Sequence, residues 1–77
     1  MNTKDINTII SNILGVEDNE IVPDAHFVLD LNATPKELID IKNTIEQTLD
    51  ITLPIESADE FPETIEEFYQ IVQDSCL

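Results

Sequence analysis

The side chains in this sequence that could do chemistry are few. One imidazole (His26), one thiol (Cys76) and many carboxylates are set among ordinary hydroxyls. His26 has no serine or cysteine nucleophile near it in sequence, and one imidazole alone makes no catalytic constellation. It sits beside Phe27 in an apolar stretch, where it reads as a surface or capping histidine. Cys76, next to the last residue and without a second cysteine, reads as a terminal thiol with no role. Carboxylates stand side by side at several places, but acid–base work needs an apolar pocket that lifts the pKa of one of them, and none is legible. Asp18, Glu20 and Asp24 cluster, yet the calcium-loop spacing with its central glycine is missing. Zinc-type Cys and His ligands are missing too. We therefore expect no catalytic residue and no bound metal, and the sequence reads as that of a non-enzyme.

The carboxylates matter more as a surface. Seventeen acids stand against three lysines and no arginine, giving 77 residues a net charge of −14. Nucleic-acid binding runs on clustered Lys and Arg, so that class of partner is excluded, and anionic membrane surfaces with it. No apolar run approaches the roughly 18 residues of a spanning helix, and the first ten residues lack the basic start of a signal peptide. The expected partners are basic patches on other proteins, found by electrostatic steering. The expected location is the cytoplasm, since a single cysteine supports no disulfide framework. The composition is nevertheless that of a folded chain: 42 % of residues are hydrophobic, more than a disordered acidic segment carries.

The elements that would position these groups follow from periodicity. Ile6, Ile9, Ile10, Ile13 and Leu14 repeat at helical spacing, with Asp5, Asn7, Ser11 and Asn12 on the other side. Asn2 or Thr3 would cap this first helix, and Gly15 would end it in a left-handed turn. Residues 16–33 keep no period. Pro23 and the charges around it argue against helix and strand, while Ile21, Val22, Phe27, Val28, Leu29 and Leu31 are too apolar for a free linker. They imply a long loop packed across the helices. Thr34-Pro35-Lys36-Glu37 is a capping box with proline at the first helical position. It opens a second helix whose buried stripe is Leu38, Ile41, Ile45 and Leu49, ending near Asp50. Ser57-Ala58-Asp59-Glu60 is a second capping box, cut short by Pro62 into one brief helix. Thr64-Ile65-Glu66-Glu67 is a third, opening a last helix with Ile65, Phe68, Tyr69 and Val72 on one face. The expected architecture is all-α: a small four-helix bundle in a single domain, 1–77, with a long ordered first loop and a short third helix.

The order of these pieces resembles an acyl carrier protein over about 70 residues. Leu14-Gly15-Val16 is similar to the family's end of helix one. Asp24-Ala25-His26-Phe27-Val28-Leu29-Asp30-Leu31 is similar to its loop motif, and Asn32-Ala33 stands where the family has Gly-Ala. Ile51-Thr52-Leu53-Pro54 resembles the segment ending in Ile-Pro after helix two. The resemblance implies a serine, directly after Gly-Ala-Asp, that accepts a 4′-phosphopantetheine arm. In this sequence Thr34-Pro35-Lys36 occupies that place, and the serine position is Pro35. Proline has no hydroxyl, so no phosphodiester forms there. Thr34 is one residue early, with its hydroxyl claimed by the helix cap. Lys36 puts a positive charge where the family has leucine.

Three functional readings remain open. The first is a carrier-like module without phosphopantetheine, expected to be a monomer, that docks on basic partners of fatty-acid or polyketide-type pathways. Asp30, Lys36, Glu37, Asp40 and Glu46, at the start and outer face of helix two, would be its docking residues. The second is a working carrier modified at a non-standard residue. The third is a bundle that holds an acyl chain among Ile41, Ile45, Phe68 and Val72, a stripe that reads more simply as core.

Overall fold

Three amphipathic helices need one another to cover their apolar sides, and the loops supply what the helices leave open. The computed structural model describes residues 3–76, with Thr3 described by its backbone alone. The helices are α1 (Thr3–Leu14), α2 (Pro35–Leu49) and α3 (Ile65–Ser75), with single 3-10 turns at Asp18–Glu20 and Ala58–Glu60. The cap expected at Asn2 or Thr3 lies outside the described residues and side chains.

In α1, Ile6 and Ile10 are fully buried, and Ile9, Ile13 and Leu14 pack on the rim of the core. The helix stops at Gly15, whose φ of 70° is the left-handed conformation that glycine adopts without a steric penalty. In α2, Leu38, Ile41 and Ile45 are buried, and Leu49 is packed against the same core. Its C-cap residue Asp50 is left-handed as well, with φ 55°. The α1 and α2 helices pack directly on each other. In α3, Ile65, Phe68 and Val72 are fully buried, and the Tyr69 hydroxyl donates to Asn7 Oδ1 of α1.

The first loop closes the core. It buries Ile21, Ala25, Phe27, Leu31 and Ala33. Phe27 makes edge-on contacts with Phe61 and Phe68, at centroid distances of 4.9 and 5.7 Å, and Phe61 stacks on Phe68 at 5.1 Å. All three phenylalanines of the protein thus meet in one cluster, drawn from the first loop, the second loop and α3. The same loop caps α3. The first N–H groups of a helix have no partner within it. Here Ile65 N donates to Ala25 O, Glu66 N to Pro23 O, and Glu67 N to the Thr64 hydroxyl. Phe27 N donates to Glu63 O, which makes His26 and Thr64 an isolated antiparallel bridge.

Two expectations change. The bundle holds three α-helices rather than four. The segment expected as a short third helix is one 3-10 turn, and its capping box does not close: Ser57 makes no side-chain cap bond, and the Glu60 carboxylate accepts from Glu56 N instead. Buried Ile55 and Phe61 hold the chain on either side of the turn, and Pro62 prevents a second turn from following. Second, Val22, Val28 and Leu29 do not pack inward. They are exposed, Leu29 by 78 %.

Candidate functional site

The candidate site begins where the first loop turns into α2. Asn32 takes φ 56°, a conformation that asparagine tolerates better than most residues with a Cβ. This bend brings Thr34 to the N-cap position. Its hydroxyl accepts from Glu37 N at 3.2 Å, and Glu37 Oε1 accepts from Thr34 N at 2.9 Å, so the expected capping box is complete. Pro35 follows as the first residue of α2 and is exposed. It carries no hydroxyl, and the nearest one in sequence, on Thr34, is engaged in the cap.

Around this point the structure divides the expected docking residues into two kinds. Asp30, Lys36 and Asp40 are exposed. Asp30 Oδ2 accepts from His26 N at 2.8 Å and lies 3.4 Å from His26 Nδ1. The backbone N–H of His26, helped by its ring, holds the Asp30 carboxyl below the usual carboxylate value, against a smaller opposing effect of burial. Glu37 and Glu46 have internal partners. Glu37 closes the cap. Glu46 Oε2 accepts from Leu53 N at 2.7 Å, and its Oε1 lies 3.4 Å from Lys42 Nζ. Glu46 therefore ties α2 to the segment that follows it. It lies nine positions after Glu37, about 13 Å further along the axis, so the five residues do not form one tight cluster.

A feature not legible in the sequence lies on the loop side. A groove of about 320 Å³ opens between the first loop, α2 and the second loop, lined by His26, Val28, Leu29, Leu38, Phe61 and Glu63, among others. The apolar content of the first loop, Val28 and Leu29 included, reads as a packed loop, not as a ridge facing solvent. The residues proposed to shelter an acyl chain do not line it. Ile41, Ile45, Phe68 and Val72 have no exposed surface at all and form the core itself. Among the described residues no group of three or more His, Cys, Asp or Glu side chains is placed to hold a metal ion. Among the same residues no helix is long and apolar enough to cross a membrane.

The family model described as a phosphopantetheine attachment site matches residues 4–72, nearly the whole of the three helices and both loops. The chain belongs to the acyl carrier protein family. It is also similar to a protein named acyl carrier protein from Guillardia theta, 33 % identical over 55 residues that make up 71 % of this chain and 68 % of that relative. Acyl carrier proteins are carriers rather than enzymes, which agrees with a sequence lacking any catalytic constellation. At the start of α2, Pro35 carries no hydroxyl, and the Thr34 hydroxyl before it caps the helix.

Proposed function

We propose that this acyl carrier protein relative is a docking module that keeps the carrier fold without carrying an arm. The single observation behind this is Pro35 at the first position of α2, where the family resemblance places the modified serine. A nucleophilic hydroxyl must be present and free to attack; residue 35 has none, and Thr34 Oγ1 sits in a cap with Glu37 N. The remaining role is contact with other proteins. A charge of −14 with exposed Asp30 and Asp40 beside the start of α2 favours partners with basic patches, such as enzymes of fatty-acid or polyketide-type pathways, met by the monomer. Lys36 tempers that surface at the point where an arm would leave. Glu37 and Glu46 contribute charge to it while holding the fold. Incubation with a phosphopantetheinyl transferase and coenzyme A tests the reading: the intact mass stays that of the bare chain, and a gain of one arm at any residue overturns it.

A further inference from the structure

We infer that the groove beside the exposed Val28–Leu29 ridge is the seat for one apolar side chain of a partner protein, flanked in that partner by lysine or arginine. This rests on the docking reading above and names where on the molecule docking centres: on the first loop rather than along the outer face of α2.

Three observations converge on that face. Val28 and Leu29 are 55 and 78 % exposed, although fully buried side chains of the same size are plentiful in this small protein. An exposed pair of large aliphatic residues at the lip of a groove is the kind of surface that marks a contact site. The groove beside them measures about 320 Å³, at the lower end of ordinary ligand clefts and roomy enough for a large apolar side chain. Its floor is fixed, since Leu38 and Phe61 belong to the buried core, so little order has to be imposed on binding.

Charge chooses the occupant. Glu63 lines the groove, and Asp30 stands beside it against His26. A free fatty acid would bring its carboxylate to two carboxylates on a molecule of net charge −14. A second copy of the chain would bring the same acidic rim to itself. A segment with an apolar anchor between two basic residues meets both conditions: the anchor leaves water, and the bases pair with Asp30 and Glu63. Surface pairs of this sort add specificity and association rate more than affinity, so the anchor carries the binding.

The test uses the ¹⁵N-labelled full chain and three probes followed by NMR. The first is a capped synthetic peptide, Lys-Lys-Leu-Phe-Lys-Lys. The second is its polar control, with Ser-Ser at the centre. The third is octanoate. The first peptide is expected to shift the amides of Val28, Leu29, Leu38, Phe61 and Glu63 and to bind at least about fivefold more tightly than the control, as loss of an anchor requires. Leu29→Ser, a change at an exposed residue, is expected to weaken it by a similar factor with the spectrum of the fold retained. Asp30→Asn with Glu63→Gln is expected to lower the affinity and flatten its salt dependence. Shifts confined to Asp40 and the outer face of α2, with equal binding of both peptides, overturn the groove and keep acidic docking. Absence of any peptide binding overturns both. Preferential binding of octanoate, or slowed diffusion showing self-association through the ridge, also overturns the proposal.

Discussion

Pro35 alters the chemistry of the site while improving the local structure. A proline at the first helical position loses no hydrogen bond, because that N–H has no partner within the helix, and its fixed φ suits the start of a helix. On the proposed reading Pro35 stands at the attachment position, and a proline there is compatible with a well-capped α2. Neighbouring carboxylates act on stability in ways their charge alone does not show. Asp30 accepts from His26 N and is held below the usual carboxylate value. A depressed folded value means that its stabilising effect is present above the unfolded value, about 3.9, and is lost as pH falls through the lower folded one. Urea midpoints of Asp30→Ala and the parent should therefore differ at pH 7, and converge as pH is taken below 3.9. Glu46 Oε2 satisfies the Leu53 N–H, on a buried residue. Glu46→Ala should lower stability by about 1–2 kcal/mol, read from the same unfolding curves. A Glu46 charge reversal thus disturbs the fold as well as the surface.

At the scale of elements, the helices were legible in the sequence because their signals are local. Thr34, Pro35 and Glu37 sit within one turn of each other, and the stripe Leu38–Ile41–Ile45 repeats within one helix, so both read directly. Gly15 and Asp50 ended their helices where expected. What the sequence did not reveal depends on residues far apart. Asn7 reads as a polar surface residue until Tyr69, 62 positions away, donates to it. The first loop reads as packed without showing that Ala25 and Pro23 carbonyls cap α3. Ser57–Glu60 has the letters of a capping box, but a 3-10 turn followed by Pro62 gives Glu60 a different N–H to serve. The groove was hidden for the same reason: its walls come from three separate segments. The Tyr69–Asn7 bond can be weighed by itself. Burial pushes the Tyr69 pKa up. A raised folded value stabilises the fold below the unfolded tyrosine value, about 10, and the effect is lost as pH rises through the folded one. Tyr69→Phe should cost about 1 kcal/mol at neutral pH. It should also remove the tyrosine's share of the loss of stability above pH 10, seen in thermal melts across alkaline buffers.

For the whole molecule, the balance between a small core and a large charge dominates. A chain of this size buries only about 60 % of the surface it exposes when unfolded, while seventeen acids, offset by only three lysines, repel one another across a compact body 28 × 25 × 19 Å in extent. Those extents are two to three times the screening length of about 10 Å at 0.1 M salt, so added ions relieve the repulsion. The melting temperature should rise between low and moderate NaCl, and a flat or falling trend would show that repulsion is not what limits stability. The same charge gives the molecule its purpose in this account. On the proposed reading it draws in basic partners at an acidic face with an apolar groove beside it, and Pro35 stands where a cargo would be tethered.

That closure is the central claim, and mass spectrometry of two chains side by side tests it most directly. The parent and Pro35→Ser are each co-expressed with a phosphopantetheinyl transferase, and their intact masses are measured. The account predicts that the parent keeps the mass of its sequence, while Pro35→Ser gains one phosphopantetheine arm at residue 35. A parent that gains the arm would contradict it.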